Sequence, residues 1–176
     1  VEEIHFPRAL HAAVVAGHVE ALDLQRTRHA AQQVRCENQR ALEQAELYHW
    51  PLDAEAELSL EKSFRSLIPE HCSVQENELL LIENREILAR KVGDDVAWFD
   101  FRELCDGPRS QNDYIELGKI FHAVLLANVE KMDSSKEDIA RRFVNLVDEF
   151  YDRNVKLIIS AEVSLQSLYS GVRLEF

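Results

Sequence analysis

Glycine and proline are scarce, at 5 and 4 residues of 176. So few forced turns exclude a fold made mainly of tight loops, and helices are expected to dominate. Cysteine is scarcer still: Cys36, Cys72 and Cys105 are odd in number and far apart. That spacing argues against a disulfide frame and fits free thiols in a reducing cytoplasm. No apolar run approaches the roughly 18 residues that a membrane span needs. The first residues, VEEIHF, lack the basic start and apolar core of a secretory signal, and the chain opens on Val rather than Met, as an excerpt or processed product does. Basic blocks are missing too. Lys and Arg number 20 against 32 Asp and Glu, a net charge of −12, and the densest basic stretches are RTR at 26–28 and the pair Arg141-Arg142. Such a surface repels nucleic acid and anionic lipid, so neither is expected as a partner.

Chemical motifs are also wanting. A phosphate loop needs a flexible backbone cradle and a lysine, G-x-x-x-x-G-K-[ST]. The only Gly-Lys here is Gly118-Lys119, followed by Ile120, with Asp113 five residues before the glycine. There is no G-x-G-x-x-G for a dinucleotide and no G-x-S-x-G elbow for a hydrolase. Seven histidines invite a metal, and His11 and His18 would share a helix face. H-E-x-x-H spacing is absent, and His71-Cys72 has no second pair, so no metal site is expected. His122, in an apolar run, reads as a core histidine, and Cys105 as a buried structural thiol.

With 46% apolar and 30% charged residues, the chain can bury a core as one structural domain or part of one. Residues 1–75 read as mostly helical, with a short extended stretch near 46–52 where Pro51 keeps Trp50 out of the helical region. Asp53 has the position of an N-cap, and Leu58, Leu60, Phe64, Leu67 and Ile68 form the buried face of the helix that follows. Residues 76–105 read as an antiparallel meander: ELLLI, the turn ENRE, EILARKV, the turn GDD, then VAWFDF. Residues 106–176 read as an α/β crossover unit. DYIELGKI is a short helix and FHAVLLANV a buried strand. Ser134 and Glu137 have capping-box spacing. From Ile139 to Tyr151 apolar residues recur at three- and four-residue steps, and VKLIIS is a second strand parallel to the first. The Asp148-Glu149 pair follows an apolar stretch, as the acids of a metal-binding ATPase strand would. The helical period instead places both on the solvated side of a helix.

The loop DGPRSQNDYIEL concentrates polar chemistry. Arg109 has the geometry to reach a phosphate or carboxylate, with Ser110, Asp113 and Tyr114 beside it. Equally, Asp113 could cap the next helix and Arg109 pair with a structural acid.

FRELCDGPRSQNDYIELGKIFHAVLLANV, followed by DIARRFVNLVDEFYDRNVKLIISAEVSLQSLYSG, resembles the C-terminal part of the ZapE-type, AFG-one-like, P-loop ATPases. The resemblance is specific over residues 98–176 and looser back through RALEQAELYHWPLD. It implies an α/β, AAA-like P-loop NTPase fold with a parallel strand-helix-strand, an antiparallel β insertion and a helical N-terminal segment. It implies ATP and magnesium for the parent enzyme, none for this chain alone. It also implies a protein partner at the division ring or a membrane, self-association, and a cytoplasmic place at the periphery of the division site or inner membrane. Arg109, Arg141 and Arg142 are the arginines it offers as trans-acting or phosphate-facing. Ala123, Glu130 and Ser164 depart from the family's FHTV, V-P-x-M and SA-x-VPL. A rival expectation is a non-catalytic interaction module, with the acidic surface and the apolar hairpin around Trp98 and Phe99 as its partner site.

Overall fold

The computed structural model describes residues 47–171. The helical reading of residues 1–45, with His11, His18 and the RTR stretch, lies outside the described residues.

A six-stranded sheet organises the chain, in the order β1-β6-β5-β4-β3-β2. β1 is the short stretch Tyr48–His49, and α1 follows at Ala54–Leu67. Asp53 caps α1 by accepting from the Ala56 N–H at 2.8 Å. The buried face of α1 is Ala56, Leu60, Phe64 and Leu67, steps of three and four. Leu58 is 68% exposed, against expectation, because it lies two residues, more than half a turn, from Leu60.

The meander forms as read, with β2 at Gln75–Ile82, β3 at Arg85–Gly93 and β4 at Val96–Asp100, each antiparallel to the one before. Its first turn narrows to Glu83 and Asn84, both at positive φ (48° and 59°), the conformation a two-residue hairpin demands. The meander stops at Asp100 rather than 105. Phe101–Cys105 is a helix, α2, because Phe101, Leu104 and Cys105 sit at i, i+3 and i+4 and bury together.

α3 spans Gln111–Ile120 and β5 spans Ala123–Val129. α4 spans Glu137–Asp152 and β6 spans Lys156–Ala161. β4, β5 and β6 run parallel, so there are two crossovers: one through α2 and α3, one through α4. The cap before α4 differs from expectation. Asp133, not Ser134, accepts from the Ser135 N–H at 2.8 Å and starts a single 3₁₀ turn, Ser134–Lys136, that leads into the helix.

The parallel strands β4, β5 and β6 are apolar except near their ends because both faces are covered. Phe99, Val124, Leu126, Leu157 and Ile159 face the core shared with α2, α3 and α4. Val96, Trp98, Leu125 and Ile158 face α1. Trp98 and Phe99 are therefore core residues, 2% and 0% exposed, and not a partner surface. The apolar side chains that the meander exposes are Leu79, Leu81 and Leu88.

His122 also departs from its reading. It sits one residue before β5, 36% exposed, with Nδ1 2.6 Å from Asp95 Oδ2. Among the described residues, no helix is long and apolar enough to cross a membrane.

Candidate functional site

Open parallel sheets present their ligand-facing chemistry at the carboxyl ends of the strands. Here three such ends bear a polar residue each. Asp100 is the last residue of β4, and Asn128 and Ser160 are each next to last in β5 and β6. They form a hydrogen-bonded row. Asn128 Nδ2 donates to Asp100 Oδ1 at 2.7 Å, and the Asn128 N–H donates to Ser160 Oγ at 3.1 Å. The cause is local. The β5–β6 register slips between Leu126 and Val129, and Asn128 adopts a φ of 62°. Asparagine tolerates that region, and its N–H leaves the ladder for the serine.

Arg90 holds the other side of Asp100. Its Nε and Nη2 donate to Oδ2 and Oδ1 at 2.6 and 2.7 Å, a bidentate pair, and its Nη1 reaches Glu57 on α1 at 3.0 Å. A cleft of about 460 Å³ opens over the Asp100 and Asn128 part of this row, lined by Leu52, Asp100, Arg102, Glu103, Asn128 and Glu130. Glu130 accepts from Lys136 at 2.5 Å and from Arg102 at 2.6 Å. Those two bonds hold its carboxyl below the usual range. Asp100 and Glu130 are thus each paired with cations. The site can orient a polar group against rigid donors and acceptors.

The loop candidates lie elsewhere and are engaged within the fold. Arg109 donates from Nε to the Glu103 carbonyl at 2.8 Å and from Nη2 to the Glu86 carbonyl at 3.0 Å, and its side chain is 9% exposed. Ser110 is the N-cap of α3. Asp113 is fully buried and accepts from the Ser110 N–H at 2.6 Å, the backward bond of a capping box. The cap is therefore Ser110, with Asp113 its partner three residues in. Tyr114 is buried and donates to the Leu104 carbonyl at 2.8 Å. Arg142 donates to the Cys105 carbonyl at 3.1 Å. Arg141, one residue earlier on α4, is exposed. The structure does not bring these arginines together with the strand-end row.

The Asp148-Glu149 pair splits. Glu149 is 8% exposed, not solvated, and accepts from Gln111 of α3 and from Arg153. It pins α4 to α3. Asp148 is half-buried, and that burial, with the charges of Asp152 and Glu149, raises its carboxyl pKa.

Sequence reasoning missed Arg90, Asp100, Asn128 and Ser160 as site residues. A signal existed: VAWFD, AVLLAN and LIIS each end an apolar run on a polar residue. Only aligned strand ends turn those three endings into one site.

The AFG1-like ATPase family profile matches residues 17–176. Cell division protein ZapE of Escherichia coli K12 is 41% identical over 138 residues, covering 78% of this chain and 36% of that protein. Lactation elevated protein 1 homolog B of Danio rerio is 30% identical over 122 residues, covering 69% of this chain and 24% of that protein. The chain thus spans about a third or less of the length of these relatives. No solved structure matches it. By the extent of the profile match and the identity to ZapE, the chain belongs to the AFG1-like ATPase family.

Proposed function

We infer that this chain is the C-terminal portion of a ZapE-like ATPase, an AAA-like P-loop machine that couples ATP hydrolysis to remodelling a protein partner. The division ring is the first such partner to test, and a cytoplasmic place beside it follows. The family membership over residues 17–176 carries this reading. The strand-end row is the polar face it would present to the rest of such a machine.

The described residues do not fit a triphosphate. Gly118-Lys119 lies inside α3, where a Cβ on Gly118 would stand 2.7 Å from Arg153 Cδ. Lys119 is bound to Glu116 at 2.5 Å. No glycine-rich cradle surrounds the pair, so no hydrolytic step is assigned to these residues. Purified chain is expected to melt cooperatively, at a temperature unchanged by millimolar Mg-ATP. A ligand at about 100 times its Kd adds roughly 2.7 kcal/mol. A shift of that size would show that the chain builds a nucleotide site of its own.

What the chain can lend is an arginine. Arg109 and Arg142 are bonded to backbone carbonyls, whereas Arg141 stands exposed on α4. An arginine supplied to a neighbouring subunit would stabilise charge on the transferring phosphoryl group, worth about 10³-fold or more. The test uses E. coli ZapE with alanine at its counterparts of Arg109, Arg141 and Arg142. Adding this chain should restore Mg-ATP turnover, and the Arg141→Ala chain should not. If the wild-type chain never restores turnover, the role is lost.

A non-catalytic interaction module is the second reading, and the exposed leucines of the β2–β3 hairpin favour it. Saturable, ATP-independent binding of a protein partner would distinguish it.

A further inference from the structure

Among the described residues the sheet ends at β2, outermost in the strand order, so a row of its backbone N–H and C=O groups has no described strand beside it. One face of the β2–β3 hairpin, with Leu80, Ile82, Ile87 and Ala89, packs into the core shared with α2 and α3. The other face carries leucines in the open. Leu79 is 58% exposed, Leu81 70% and Leu88 38%, and Leu79 sits directly across the ladder from Leu88.

We propose that β2 pairs antiparallel with β2 of a second copy of this chain, about a twofold axis through Leu80. The pleat supplies the argument. Residues that face each other in an antiparallel pair lie on the same side of the sheet. A twofold axis normal to the sheet must then pass through a residue, not between two.

Centred on Leu80, Leu79 faces the second copy's Leu81, and Leu80 faces its counterpart. Glu78 faces Ile82, where the strand gives way to the Glu83-Asn84 turn. No acid opposes an acid. Centred on Leu81, Leu80 would meet Ile82 and Leu79 would meet the turn residue Glu83. Centred on Leu79, Leu81 would meet Asn77. Only the Leu80 register sets each leucine of the strand against a leucine and joins the two exposed apolar faces into one strip. Asn77, at φ 55°, marks where regular pairing stops.

Charge sets the conditions. Glu76, Glu78, Glu83 and Glu86 flank the strip, and each copy carries −12. Repulsion acts across the axis at longer range, so added salt strengthens the dimer. The pairing requires no nucleotide and stands apart from the ATPase reading.

The test is sedimentation equilibrium of the 176-residue chain over a concentration series, at low and high salt. A monomer–dimer equilibrium that tightens with salt is expected. The double substitution Leu79→Lys, Leu81→Lys sets lysine against lysine across the axis and should give monomer. At a concentration where both proteins are monomeric, its melting curve should stay close to wild type, since both side chains are exposed in the monomer. Mixing it with a Leu79→Glu, Leu81→Glu chain should restore dimer as the heterodimer, because lysine meets glutamate in this register. A wild-type chain that stays monomeric throughout would overturn the proposal and leave the edge to a different protein. A dimer that survives the lysine pair, or a mixture that stays monomeric, would overturn it as well.

Discussion

Trp98→Ala is expected to lower the melting temperature by roughly 6–20 °C. Trp98 is 2% exposed at the centre of the core between the sheet and α1, its ring 6.1 Å from that of Phe64. The Arg90 guanidinium and the Lys91 ammonium each lie 5.7 Å from its ring centroid. Truncating a buried tryptophan removes its transfer energy and leaves a cavity, at a cost of about 3–5 kcal/mol. In a chain of this size each kcal/mol moves the melting temperature by roughly 2–4 °C. Leu58→Ala, on the exposed side of α1, should stay within about 0.5 kcal/mol of wild type. Thermal melts followed by circular dichroism compare the two. A Trp98→Ala protein that melts like wild type would mean that α1 does not pack on the sheet as described.

Alkaline pH should destabilise the protein steeply, starting at the thiol. Cys105 is fully buried, and burial pushes its pKa far above the usual range. Burial likewise raises Tyr114 and Tyr48, whose hydroxyls donate to the Leu104 and Val163 carbonyls at 2.8 and 2.7 Å. A group whose pKa is raised on folding contributes fully below its unfolded pKa. That contribution is lost as pH rises toward the folded value, because only the unfolded chain ionises. The unfolded thiol titrates near 8.5 and tyrosine near 10, and each pH unit beyond costs about 1.36 kcal/mol per group. At about pH 10.5 the thiol alone removes roughly 2.7 kcal/mol. Melting temperatures taken from pH 7 upward should therefore bend down above about 8.5 and again above about 10. Cys105→Ala should abolish the first bend while keeping the second. A wild-type profile flat to pH 10.5 would contradict this burial of the thiol.

The candidate site was less legible than the fold. Arg109, Ser110, Asp113 and Tyr114 drew attention because they cluster in sequence, yet their polar atoms hold the α2–α3 corner together. The strand-end row draws on residues 90, 100, 128 and 160, which no local window unites. Glu149 shows the same limit. The 3.6-residue period places it on the solvated side of the helix, but Gln111 of another helix and Arg153 beyond the helix end cover it.

Local chemistry in the sequence decided several elements of this protein. The apolar runs at Ala123–Val129 and Lys156–Ala161 had to be strands covered on both faces, and the stripe from Ile139 to Phe150 between them had to be a crossover helix. Asp53 had to cap α1, and two short turns had to fold the meander. Each depends on spacing within one segment, where backbone geometry and burial leave a single answer. Tertiary structure alone decided that Trp98 is core and Leu81 surface, that Asp133 rather than Ser134 starts the turn into α4, and that Asp100, Asn128 and Ser160 meet. Those outcomes depend on strand order and register, which are set by side-chain complementarity between segments far apart in the chain.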